Sequence, residues 1–222
     1  MKDFWQEEIK KIVNVIKRAN APVFTSAPNS LKLGIICTPR FDVTDNKKGS
    51  GVIVGPGKGQ AHYINAAQTP YNLVCLSYDE YLHEFVFDDG DGHSDMNALK
   101  DGVKVADLIL YDSSENQVYF IVHELSSATV GNKRNVGKRQ LSDTLNQLYT
   151  SENLKQFIDG FARKLCILSA EDGRVVTSTP DNVADGFLQV YQIIPEPLKF
   201  NFGQIKRWGF DAYETSTVIL EP

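Results

Sequence analysis

Long apolar runs are missing from this 222-residue chain, and no stretch approaches the roughly 18 apolar residues that a bilayer crossing needs. No membrane span is expected, and the start, Met1 to Lys11, is charged and amphipathic without the apolar core of a secretory signal. Cysteine is scarce. Cys37, Cys75 and Cys166 are odd in number, far apart and each within an apolar run, which argues against a disulfide framework or a cysteine metal site and for reduced thiols in a cytoplasmic protein. The four histidines, His62, His83, His93 and His123, show neither HxxxH nor HxH spacing, so a zinc enzyme is not expected. GxxxxGK[ST], GxSxG, repeats and low-complexity tracts are also missing. Nor is there an excess of positive charge: a net charge of -5 and a pI near 5.4 argue against a general nucleic-acid coat, although local patches matter more than the total.

What is present is an ordinary globular composition, 42% hydrophobic and 23% charged, in a chain long enough for one good core. Trp5, Ile9, Ile12, Val13 and Ile16 recur at helical spacing, so residues 3–19 read as an amphipathic helix ending before Pro22, with Glu8 read as surface. Residues 33–37, 51–54, 62–65 and 73–76 read as strands separated by Gly, Pro, Asn and Asp clusters. They form a β-rich N-terminal elaboration over about 22–87, within a single domain spanning 1–222. Leu141, Leu145 and Leu148 mark a helix from about Lys138 to Tyr149, with Gln140, Thr144 and Gln147 on a neighbouring polar stripe. It follows a basic loop, 131–137, which carries Lys133 and Arg134; Lys138 and Arg139 come directly after it. A second helix at 152–161, a strand at 164–168, a strand at 190–194 and a final strand at 218–220 complete the reading.

Two segments invite a ligand and fail on spacing. The glycine-rich stretch 49–59 has no helix after it to aim amides at a phosphate, and a glycine-rich hairpin turn fits better. The acidic stretch 88–95 places His93 and Ser94 where a calcium loop of the EF-hand kind needs an acid and a glycine.

The informative pattern is Asp107-Leu108-Ile109-Leu110-Tyr111, a polar turn, then Phe120-Ile121-Val122-His123-Glu124. Each apolar strand carries one acid, and a carboxylate in a buried strand is costly unless something pairs with it. With Ser113 to Asn116 as the turn, Asp112 pairs with Gln117 and Asp107 falls opposite Val122, which makes Glu124 its diagonal neighbour. The period of two then sends both carboxylates to one face, close enough to share a metal. His123 alternates away from Glu124 and reads as a structural histidine facing the other layer.

This order resembles the PD-(D/E)xK nuclease-like superfamily, particularly its RecB-like branch. The resemblance is carried by Lys104 to Leu110, Ile121 to Ser126 and Lys138-Arg139-Gln140-Leu141, and covers about 104–169. It implies an α/β (α+β), restriction-endonuclease-like αβββαβ core with a central mixed sheet, here with extra N-terminal strands. It also implies a divalent cation, Mg²⁺ or Mn²⁺, on Asp107 and Glu124, and some members place a further acid on the first helix, where this chain has Glu8. The family's lysine, two residues after the Glu, is Ser126 here. Some members carry this lysine elsewhere; of Lys104, Lys133 and Lys138, the last is the best substitute. Lys133, Arg134, Arg139 and Gln140 would contact nucleic acid. The expected function is a metal-dependent nuclease acting on phosphodiester bonds. The alternative is an inactive nuclease fold that binds nucleic acid or a protein partner.

Overall fold

The computed structural model describes residues 1–18, 31, 33–45, 51–65, 70–87, 96–97, 99, 103–126, 132–170, 198–199 and 203–221. The expected strand at 190–194 and the acidic stretch 88–95 lie outside the described residues. In chain order the first elements are α1 (Lys2–Ile16), β1 (Leu33–Ile36), β2 (Arg40–Asp45), β3 (Gly51–Val54), β4 (Ala61–Asn65), β5 (Leu73–Ser77) and α2 (Tyr78–His83). The short β6 (Val86–Phe87) and β7 (Met96–Asn97) pair with each other, and β8 (Leu108–Asp112) and β9 (Tyr119–Ser126) follow. The remainder is α3 (Asn132–Leu148), α4 (Glu152–Asp159), β10 (Arg163–Ala170), β11 (Leu198–Lys199), α5 (Gly203–Lys206), β12 (Asp211–Glu214) and β13 (Thr217–Leu220).

The fold is α/β with two mixed sheets. The larger runs β1-β5-β8-β9-β10-β12, with two-residue β11 at its far edge. β1, β5, β8 and β9 are successively antiparallel, whereas β10 lies parallel to β9 and β12 parallel to β10. The run α1, β5, β8, β9, α3, β10 is thus a helix, an antiparallel meander, a helix and a returning parallel strand. Parallel neighbours need a long crossover, and α3 with α4 supplies it. The smaller sheet, β13-β4-β2-β3, draws its strands from both ends of the sequence.

Each face of the larger sheet has its own core. On one side Trp5, Ile9, Ile12 and Val13 of α1 and Leu141, Leu145 and Leu148 of α3 pack over Ile109, Tyr111, Phe120 and Val122. On the other side Phe41, Val43 and Tyr63 of the smaller sheet pack over Leu108, Leu110, Ile121 and Ile167. Strands covered on both faces bury every residue, as all of β8 is buried, and this explains their continuous apolar runs. Layers therefore stack as helices, larger sheet, smaller sheet.

α3 begins at Asn132, so most of the expected basic loop forms its first turns. β2 was not anticipated, although Phe41 and Val43 alternate into the core. β3 and β4 do not form a hairpin; both pair with β2, on opposite sides, and the glycine-rich stretch crosses over it. Asp42 holds that crossing by accepting from Lys58 N at 2.9 Å and Gly59 N at 3.0 Å. Of the cysteines, Cys75 and Cys166 are buried but Cys37 is exposed. Burial pushes the Cys75 thiol up to about 12, and its place on the face opposite Cys166 keeps the two apart.

Candidate functional site

The hairpin of β8 and β9 sets the site, and Asp112 sets the hairpin. Its buried carboxylate accepts from Ser114 N at 3.0 Å, Ser114 Oγ at 2.7 Å and Val118 N at 3.1 Å. The loop 113–118 folds around it, with Gln117 at a positive φ of 46°. Asp112 is thus a turn organiser and not the strand partner of Gln117. Ile109 consequently faces Val122, where the expected pairing would have set it against Phe120. A slip of two residues preserves which face each side chain takes. Continued one step beyond Leu108↔His123, the ladder brings Asp107 directly opposite Glu124.

Both acids are buried, Asp107 at 6% exposure and Glu124 at 5%. By alternation with Ile109 and Val122 they lie on the helix face of the sheet. Asp107 Oδ2 accepts from Leu125 N at 2.6 Å, so its carboxylate reaches across to the strand that carries Glu124. Its carbonyl accepts from Tyr78 N, the first residue of α2, at 2.8 Å.

Helix α3 closes over this end. Gly137 is placed so tightly that a Cβ there would meet Leu168 Cδ1 at 2.6 Å and Glu124 Cγ at 3.3 Å. Gln140 Nε2 donates to Val105 O at 2.9 Å, and Thr144 Oγ1 accepts from Ala106 N at 2.7 Å. Lys138 follows Gly137 and is half-buried, while Arg139 is exposed beside Asp143, 3.4 Å away. Lys133 and Arg134 belong to the first turn of α3, and their side chains lie outside the described residues. Ser126 closes β9 opposite Ala170 of β10, its side chain likewise outside them. Lys104 is exposed.

Glu8 takes a different place from the one expected. It is 3% exposed and accepts from Lys11 Nζ at 2.6 Å, from Asn153 Nδ2 at 2.9 Å and from Ser151 Oγ. Burial works to raise its pKa, but these three donors outweigh it and the net shift is downward. Ser151 also caps α4. Because β9 and β10 are parallel, α4 leads into the Tyr119 end of β9, roughly 17 Å along the strand from Glu124. Glu8 therefore fastens α1 to α4 and stands apart from the Asp107–Glu124 pair.

Comparisons with protein-family models, curated proteins and solved structures find no match.

The site's chemistry must be judged from its own donors. Among the described residues no group of three or more His, Cys, Asp and Glu side chains is placed to hold a metal. Two carboxylates, oxygen donors only, suit a hard divalent cation that keeps water and a substrate phosphate as its remaining ligands, which is how Mg²⁺ is commonly held. The features missed from sequence are Gly137 and Thr144. The polar stripe containing Thr144 was visible; its burial was the missing part.

Proposed function

We propose that this chain is a metal-dependent, nuclease-like protein acting on the phosphodiester bonds of nucleic acid, built on the restriction-endonuclease-like αβββαβ core. The observation that carries the reading is a cross-strand pair of buried acids, Asp107 and Glu124, on one face of a meander that is followed by a helix and a parallel strand. Burying a carboxylate in an apolar strand has a desolvation cost, and a cation shared by these two acids would repay it for both. Bound there, Mg²⁺ or Mn²⁺ would polarise the scissile phosphate and lower the pKa of a water. Asp107 and Glu124 would hold the cation, Lys138 would supply positive charge to the phosphate, and the basic residues Lys133, Arg134 and Arg139 would contact the nucleic-acid backbone. Gln140 donates to Val105 O, which gives it a supporting role beside the nucleic-acid contact the resemblance implies.

One residue favours a second reading. Ser126 stands where the resembling family has lysine, and a hydroxyl cannot carry an amine's charge. An inactive nuclease fold, binding nucleic acid or a protein partner, accommodates that replacement.

Mn²⁺ isotherms on wild type and Asp107→Ala test the site without knowledge of substrate: saturable binding should vanish in the variant. Cleavage assays on duplex and single-stranded DNA and RNA then separate the readings. Under the first, Lys138→Ala abolishes Mg²⁺-dependent cleavage and Ser126→Lys raises it. Inert wild type, Lys138→Ala and Ser126→Lys proteins would leave the binding module.

A further inference from the structure

The stripe Gly137, Gln140, Thr144 on α3 contradicts the usual rule for a helix face turned to a core. Thr144 is fully buried and Gln140 half-buried, and polar side chains in that position destabilise unless each finds a partner. Here the partner is a single peptide group. Gln140 Nε2 donates to Val105 O and Thr144 Oγ1 accepts from Ala106 N, the two ends of the Val105–Ala106 amide. Residues four apart share one helical face, so one stripe grips both ends of the unit. That peptide leads directly into Asp107, whose Oδ2 is 2.6 Å from Leu125 N. One turn back on the same stripe, Gly137 lies against Glu124 Cγ.

We infer that α3 is a positioning element for both acids: Gln140 and Thr144 fix Asp107 through the Val105–Ala106 peptide, while Gly137 fixes how closely the helix rests on Glu124. The functional meaning of this clamp rests on the metal-site reading above; the clamp itself does not. An apolar stripe would cover the sheet as well and would leave the segment before β8 free to slide. The polar stripe makes one placement of Asp107 the satisfied one.

Amide exchange and proton shifts read the clamp directly. Thr144→Val is isosteric and removes the acceptor; Gln140→Leu removes the donor from a less buried position, should Thr144→Val fold poorly. In both variants the Ala106 and Leu125 amides should exchange roughly tenfold faster than in wild type, and the Leu125 proton should lose its carboxylate-bonded downfield shift. Phe120 and Ile121 amides should keep their protection, and Thr144→Ser, which retains the hydroxyl, should restore the wild-type pattern. A Leu125 amide protected as in wild type in both variants overturns the inference. So does a uniform loss across all strands, which would make the stripe a packing contact only. A Mn²⁺ isotherm on the same samples keeps the two claims apart. Wild type without Mn²⁺ binding but with the Leu125 response removes the metal site and leaves the clamp. Wild type with Mn²⁺ binding, and variants binding equally well, shows that the clamp does not position the acids for the metal and overturns that part of the inference.

Discussion

Buried on β9, His123 keeps both ring nitrogens in hydrogen bonds whose directions can be worked out from their neighbours. Ser169 Oγ donates to Thr215 O, so it accepts from His123 Nε2 at 2.9 Å, and Nδ1 then accepts from Tyr63 OH at 2.6 Å. Every proton in this chain has a place, and the ring is neutral. Burial holds its pKa down to about 3 against an ordinary 6.5. Between those values the unfolded chain binds a proton that the folded chain refuses, so stability falls as pH drops from 6.5 towards 3, by up to about 1.4 kcal/mol per pH unit. His83, raised by its hydrogen bond to Asp79, has the opposite sign, contributing below 6.5 and losing its contribution as pH rises; it is half-exposed and its effect is small. Glu8, lowered from 4.5, adds a loss only in more acid solution. Urea unfolding at pH 7, 6 and 5 should therefore show falling stability, and His123→Gln should flatten that slope while being less stable overall. Equal slopes would mean that His123 takes up protons in the folded state. Alternation along β9 made His123 legible. Glu8 was misread as surface because Ser151 and Asn153, which bury it, are 143 and 145 positions away in sequence.

At the scale of elements, the longer helices and the central strands declared themselves by periodicity, β2, α2 and β12 did not, and the junctions depended on side chains that sequence patterns do not reveal. The slip at β8–β9 came from Asp112, whose carboxylate replaces strand pairing with a capped loop. The crossing between β3 and β4 came from Gly59. A Cβ there would lie 2.5 Å from Asp42 Cβ and 2.6 Å from Val43 O, so only glycine lets the loop pass over β2. Because a backbone atom cannot turn aside, Gly59→Ala should cost about 1–3 kcal/mol, measured by denaturant midpoint. Gly137→Ala contrasts with it. Its new methyl meets the far end of Leu168, which can rotate, and alanine gains up to about 1 kcal/mol of helix propensity. Stability should stay near wild type while, on the metal-site proposal, Mn²⁺ affinity weakens through Glu124, the other group in its way. Weakened folding with unchanged Mn²⁺ binding would place the strain on Leu168 alone.

For the whole molecule, the two acids were legible because they interrupt apolar strands, and their common face survived an error in register because that error was even. The second sheet was not legible. Its fourth strand, β13, comes from the end of the sequence and pairs parallel with β4, a contact with no local signature. Val218 and Leu220 are buried in the core shared by both sheets, and Glu221 O accepts from Tyr71 OH at 3.0 Å and Tyr119 OH at 2.8 Å. Burying two such aliphatic side chains contributes about 1.5–3 kcal/mol each, and the hydrogen bonds about 1 kcal/mol apiece. Ending the chain after Ser216 should therefore remove about 5 kcal/mol or more, a large part of the 5–15 kcal/mol typical of a domain. Because that core joins Tyr63 and Phe41 to Leu110 and Ile121, the loss should appear as one transition at lower temperature rather than as separate melting of the smaller sheet. Asp107 and Glu124 lie on the other face, covered by α3, so on the metal-site proposal whatever fraction of the shortened chain stays folded should bind Mn²⁺ as the full chain does. A shortened chain that melts at the wild-type temperature would show that β13 does not hold the two sheets together. One that folds but no longer takes Mn²⁺ would show that the site depends on both faces of the shared strands.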